Sequence, residues 1–172
     1  MSVLIGKEIE KALKSKLIKV EPFDKSQLGP GSIDLTLGND FMTFKKQSKV
    51  YHVMHDSHFH DITEAVHVKD GDYIVIKPGE MVLGITKEKI TLADTVSGRL
   101  EGRSRFARFG LAVHVTAGFM QPGISNRQAL EIVNLGHGPL ALYPGTRICQ
   151  FIFEKCKGRA RYRGRFAKQV KP

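Results

Sequence analysis

Residues 102–131 read GRSRFARFGLAVHVTAGFMQPGISNRQALE, and the fold turns on this stretch. Two apolar runs, 111–116 and 129–134, have strand length and strand composition, and Pro122-Gly123 punctuates the chain between them. The same pattern repeats outward, with strand signals at 33–37, 73–76, 81–86, 95–100 and 147–153. Turn residues separate them: Gly29-Pro30-Gly31, Pro78-Gly79, Gly136 to Pro139 and Pro144-Gly145. Many short strands at close spacing predict an all-β sandwich or barrel-like fold. The exception is 5–17, where Ile5, Ile9, Leu13 and Leu17 recur every fourth position and predict one short N-terminal helix.

The same thirty residues concentrate chemistry. The turn after the strand ending near residue 100 carries Arg103, Ser104 and Arg105. Backbone N–H groups, a hydroxyl and a guanidinium there could together hold phosphate oxygens. Read alone, the two arginines fit better as surface charges beside an ordinary turn. Glu131 stands in QALEIVNL with apolar neighbours on both sides. Burial would raise its pKa toward the range useful for proton transfer, and Arg108 is the candidate counter-charge opposing that shift. The bland alternative is a strand glutamate facing solvent. His114, between Val113 and Val115, reads as packing support for a pocket rather than as a catalyst.

At 172 residues the chain suits one domain, expected over 1–154, followed by a basic tail over 155–172. The net charge is +10, and the last 18 residues hold eight basic side chains and no acidic ones. Such a tail could grip nucleic acid through its phosphates, fold over a polyphosphate ligand, or remain a solvated end. No run of about 18 apolar residues occurs, and Lys7, Glu8, Glu10 and Lys11 charge the start, so neither a membrane span nor a secretory leader is expected. Cys149 and Cys156 show no disulfide framework, which fits a cytoplasmic chain. His52, His55, His58 and His60, with Asp56 and Asp61, could suggest a metal. Their spacing fits neither one helix face nor one strand face, so a solvated loop is the expectation.

Four ordered blocks carry a resemblance: 21–41 (EPFDKSQLGPGSIDLTLGNDF), 77–86 (KPGEMVLGIT), the 102–131 segment, and 140–153 (LALYPGTRICQFIF). Together they resemble the dCTP deaminase branch of the dUTPase-like superfamily. The resemblance implies a β-clip, or distorted jelly-roll, domain that assembles as a homotrimer with active sites shared between subunits. It implies hydrolytic deamination of dCTP to dUTP and ammonia, without zinc, with Glu131 as general base and Ser104 and Arg108 positioning the water and the glutamate. The zinc nucleobase deaminases need H-x-E and P-C-x-x-C blocks, and this chain has neither.

By the same resemblance, main-chain groups of His114, Val115, Thr116 and Ala117 would read the pyrimidine, and Arg103 and Arg105 would meet the phosphates. Arg161, Tyr162 and Arg165 resemble part of a C-terminal lid over the triphosphate, and Mg2+ would arrive bridging the triphosphate oxygens. Several positions depart from the family pattern. Arg105 replaces a serine, Ile124 an aromatic residue, and Asn126 a glycine. Gln121 replaces an aspartate that contacts the sugar and, in dUTP-hydrolysing relatives, helps activate water. Glutamine can hydrogen-bond but cannot act as a base at neutral pH. The departure at Gln121 favours the deaminase over a bifunctional dCTP deaminase and dUTP diphosphatase giving dUMP, although Ala117-Gly118 resembles the bifunctional members. A noncatalytic nucleotide- or nucleic-acid-binding relative is the third reading.

Overall fold

The computed structural model describes residues 2–172. In chain order it contains β1 (Ser2–Val3), α1 (Lys7–Lys14), β2 (Ile18–Glu21), β3 (Ile33–Thr36), β4 (Asp40–Phe44), β5 (Thr63–His67) and β6 (Ile74–Ile76). There follow β7 (Met81–Leu92), β8 (Val96–Gly102), α2 (Ser104–Ala107), β9 (Leu111–Ala112), β10 (Phe119–Met120), β11 (Ser125–Asn134), β12 (Leu140–Leu142) and β13 (Arg147–Lys155). Single 3-10 turns occur at Lys25–Gln27 and Phe59–Ile62. The architecture is therefore mostly β with two short helices.

All strand pairings are antiparallel. One sheet runs β1-β13-β8-β10 with β3 also on β13, and a second runs β5-β4-β7-β11-β9 with β2 also on β7. A small ladder joins β12 to β6. Ile33, Leu35, Leu100, Phe151 and Phe153 from the first sheet and Val20, Phe41, Ile90, Leu130 and Ile132 from the second are buried in one cluster. The alternation anticipated from sequence supplies these residues, since every second strand residue points to the same face.

The differences from the sequence expectations have local causes. The helix is only Lys7–Lys14, because Gly6 (φ 48°) and Lys16 (φ 60°) leave the right-handed helical region on either side. Ile9 and Ala12 are buried, whereas Ile5 and Leu17 are exposed. β7 runs six residues beyond the expected end through the charged KEKITL segment, because its polar residues are held. Glu88, 2% exposed, accepts from Gln27 Nε2 at 2.7 Å and from the Thr36 N–H at 2.8 Å. In contrast, the run at 111–116 stays in the ladder only for Leu111–Ala112. The chain then leaves the sheet, and this departure builds the site described below.

β11 is a long strand beside the central β7, pairing with β7 over most of its length and with β9 at its end. Asn126, Gln128, Leu130, Ile132 and Asn134 are buried on one face, which leaves Glu131 on the other. Asn134, fully buried, closes the strand: its Nδ2 donates to Ile76 O at 2.9 Å and Gly138 O at 2.8 Å, and its Oδ1 accepts from the Gly136 N–H at 2.9 Å. Asn134→Leu leaves those three backbone groups without their partner. It is expected to cost about 3 kcal/mol of stability, read as a lowered urea midpoint; an unchanged midpoint would contradict this account.

Candidate active site

Where the chain leaves β9, Thr116 swings back to β11 and grips Glu131. The Thr116 backbone N–H donates to Glu131 Oε2 at 2.6 Å, and its hydroxyl lies 2.8 and 2.7 Å from the two carboxylate oxygens. Burial of Glu131 would raise its pKa, but donation from the Thr116 hydroxyl and backbone, with electrostatic attraction from His114, outweighs it and leaves the pKa lowered. The expected upward shift is thus corrected: half-burial is overcome by donors aimed at the charged form. The His114 Nδ1 lies 3.5 Å from the Glu131 backbone N–H, and its Nε2 is the one buried side-chain polar atom without a partner among the described residues.

The carboxylate faces a cavity of about 400 Å³, a volume typical of small-molecule sites. His114, Ala117 and Gln121 line it with Glu131, as does Tyr162 from the tail. The outer edge of β11 explains its position. Val133 and Asn134 are covered by β9, and Ser125 and Arg127 are covered by the tail; residues 128, 129 and 131 between these coverings border the cavity. Ile124 is buried in the wall where an aromatic residue was expected, but Phe59, Phe119 and Phe166 line the same cavity. Phe59 comes from the histidine-bearing loop, which carried no pocket signal in the sequence because its placement depends on contacts across the fold.

The tail is folded onto the body. Ala160 N–H donates to Asp94 O and Tyr162 N–H to Pro122 O, each at 2.9 Å, and Arg161 packs on Gly123. Gly123 has φ 77°, and a Cβ there would stand 2.7 Å from Arg161 Cγ, so glycine is what permits that approach. Arg165 reaches His58 Nδ1 at 3.0 Å and lies over the Phe166 ring. Of the expected lid residues, Tyr162 borders the cavity, while Arg161 and Arg165 lie outside its lining.

The 103–108 block sits elsewhere. Arg103 is paired with Asp34 Oδ2 at 3.0 Å and donates to Arg147 O at 2.7 Å. Gln150 Nε2 donates to Gly102 O at 3.0 Å, so a β13 side chain braces the turn; no role was read for it in the sequence. Ser104, Arg105 and Arg108 are exposed, and none lines the Glu131 cavity. The expected Glu131–Arg108 ion pair is not formed within the described subunit, where Thr116 takes its place at the carboxylate. Val115, 53% exposed, and Thr116 also lie outside the cavity lining, although Thr116 holds the carboxylate.

Among the described residues, no group of three or more His, Cys, Asp or Glu side chains gathers as a metal site would require, the 52–61 run included. No helix among them is long and apolar enough to cross a membrane. Cys149 is buried and Cys156 partly so, both as free thiols, and burial pushes the Cys149 pKa strongly upward.

Comparison with known proteins bears on the family and the fold. A family described as dCTP deaminase-like matches residues 3–156. The chain is 39% identical over 155 residues to "dCTP deaminase, dUMP-forming" of Dictyoglomus turgidum, covering 89% of this chain and 80% of that protein. It is 43% identical to "dCTP deaminase" of Thermomicrobium roseum, covering 89% and 79% respectively. In fold it is similar to the crystal structure of 2'-deoxycytidine 5'-triphosphate deaminase from Agrobacterium tumefaciens, with TM-score 0.68 and 19% identity over 89% of this chain. It spans 48% of that longer chain. The native EIAV dUTPase matches with TM-score 0.53 and 15% identity, covering 86% of this chain and 95% of that one. The expected dUTPase-like all-β fold is therefore the observed one.

A lowered carboxylate pKa keeps Glu131 ionised above that pKa. The associated stability is present at neutral pH and is lost as pH falls through the depressed value. Thr116→Val removes the hydroxyl donor but keeps the backbone N–H. Its expected effect is to move the Glu131 titration to higher pH, followed by carbon NMR of the labelled carboxyl; an unmoved titration would show that Thr116 is not the controlling donor.

Proposed function

This chain belongs to the dCTP deaminase-like family, and from that premise we propose that it hydrolyses dCTP to dUMP, releasing ammonia and pyrophosphate. The observation that carries the reading is the Glu131 carboxylate, held ionised by Thr116 at the wall of a nucleoside-sized cavity. The base takes a proton from water, and the hydroxide adds to C4 of the cytosine ring. That proton passes to N3; the proton of the new C4 hydroxyl then moves to the exocyclic nitrogen, the C–N bond breaks, ammonia leaves, and a C4 carbonyl remains. A second water then attacks the α-phosphorus and pyrophosphate departs.

The dUMP-forming outcome replaces the narrower expectation of dUTP as the final product, because relatives such as the Dictyoglomus protein bear that name. Gln121 favours the second reading, in which the reaction stops at dUTP. It lines the cavity where the resemblance implies an aspartate, and it cannot take a proton from the second water. Glu131 is the sole Asp or Glu side chain in the cavity lining. The lining thus offers no carboxylate cage for Mg2+, which would enter bound to the substrate's phosphate oxygens.

Ser104 and Arg108 lie away from their own subunit's cavity, so their proposed roles require a neighbouring copy, in keeping with the homotrimer that the resemblance implies. Phe109 and Leu135, 67% and 70% exposed, flank this block and supply apolar surface for such a contact. In that assembly Arg103 and Arg105 would face the phosphates, and the tail would act as a lid carrying Arg161, Tyr162 and Arg165.

Incubation with dCTP and Mg2+, with chromatographic separation of nucleotides, tests the reading. dUMP with pyrophosphate is expected, dUTP alone would support the deaminase-only reading, and no product would leave a noncatalytic binder of nucleotide or nucleic acid. Glu131→Gln is expected to lower ammonia release by about 10²- to 10⁴-fold while nucleotide binding persists. Glu131→Gln and Arg108→Ala chains, each inactive alone, are expected to recover turnover when coexpressed; failure to complement would overturn the shared site.

A further inference from the structure

Besides Asn134, the face of β11 that carries Leu130 and Ile132 into the core buries two further amides, Asn126 at 7% and Gln128 at 2% exposure. Burying amide groups is costly unless their hydrogen bonds are met. Asn126 meets its requirement by reaching the tail, where Nδ2 donates to Phe166 O at 2.7 Å. A main-chain carbonyl can only accept, so this bond fixes which end of the Asn126 amide carries nitrogen. Asn126 Oδ1 then accepts from Gln128 Nε2 at 2.8 Å. Gln128 is anchored in turn, its backbone N–H donating at 3.0 Å to the hydroxyl of fully buried Thr86.

On either side of Asn126 the tail pairs as an edge strand would. Ser125 N–H donates to Ala167 O at 3.1 Å, and Arg127 N–H donates to Gln169 O at 2.9 Å. The three bonds from residues 125, 126 and 127 thus hold residues 166–169 against β11, where Phe166 and Gln169 line the Glu131 cavity together with Gln128. Only the bond from Asn126 comes from a side chain, so it is the one a substitution can remove.

We propose that Asn126 is a positioning residue that latches the tail onto β11 before nucleotide binds, joining the tail through Gln128 to the cavity wall. The inference rests on the cavity being the nucleotide site. Ordering a segment on binding costs affinity, and a tail already held against the strand avoids part of that cost. The latch therefore acts on nucleotide binding more than on the chemical step.

Amide hydrogen exchange on the full nucleotide-free chain tests the latch directly. The Ser125 and Arg127 amides are expected to be protected, and Asn126→Ala is expected to cut that protection by about fivefold or more. The Ile132 amide should be unchanged, which reports an intact fold. Asn126→Asp keeps an acceptor for Gln128 but has no donor for Phe166 O, so it should behave as the alanine variant does. With dCTP, both variants should raise KM by a similar factor with kcat largely kept. Unprotected Ser125 and Arg127 amides in the parent chain, or equal protection in all three chains, would overturn the latch. Protected amides that fall in both variants, in a chain that does not turn over dCTP, would uphold the latch and remove the deaminase reading.

Discussion

The grip of Thr116 on Glu131 is the constraint around which the second sheet is organised. A half-buried carboxylate on a long strand would normally either face water or demand a counter-ion. Here the chain leaves the ladder after Ala112, forgoing strand hydrogen bonds, and returns with two donors from one residue. Because β9 covers only the end of β11 and the tail only its start, the carboxylate occupies the stretch of edge that neither covers. The cavity is thus a consequence of incomplete strand coverage as much as of the side chains around it.

This arrangement alters the electrostatic argument made from sequence. Apolar neighbours on both sides of Glu131 correctly suggested a sheltered acid, and shelter alone raises a carboxylate pKa. Adjacent hydrogen-bond donors act in the opposite sense and prevail here. A group already ionised at neutral pH suits the role of base without prior deprotonation. The proton it would receive then resides on a carboxyl group whose Thr116 partners favour the charged form, which promotes its onward transfer.

Much of the fold was legible because alternation and turn residues are local signals. The apolar strands around 33–36, 81–86 and 147–153 were foreseen, and so was the turn that follows β8. Polar strands such as the end of β7 were hidden, since Glu88 is buried through partners 61 and 52 positions away in sequence. Of the residues named from sequence, Glu131, His114, Ala117, Gln121 and Tyr162 border the candidate cavity. Phe59, Gln128 and the contact of Asn126 with the tail were not foreseen, for their surroundings are made by the loop and the tail, which sequence spacing does not locate. The Arg108 partnership for Glu131 failed within the subunit for the same reason.

The thiols described above differ in a way that serves the experimenter. Cys149 lies sealed within β13, its ionisation suppressed by burial. Cys156 stands where β13 gives way to the tail, with its sulfur 3.3 Å from Ser97 Oγ. The chain therefore carries its own attachment point for a fluorophore or spin label where the tail begins, and a second cysteine that such reagents would bypass.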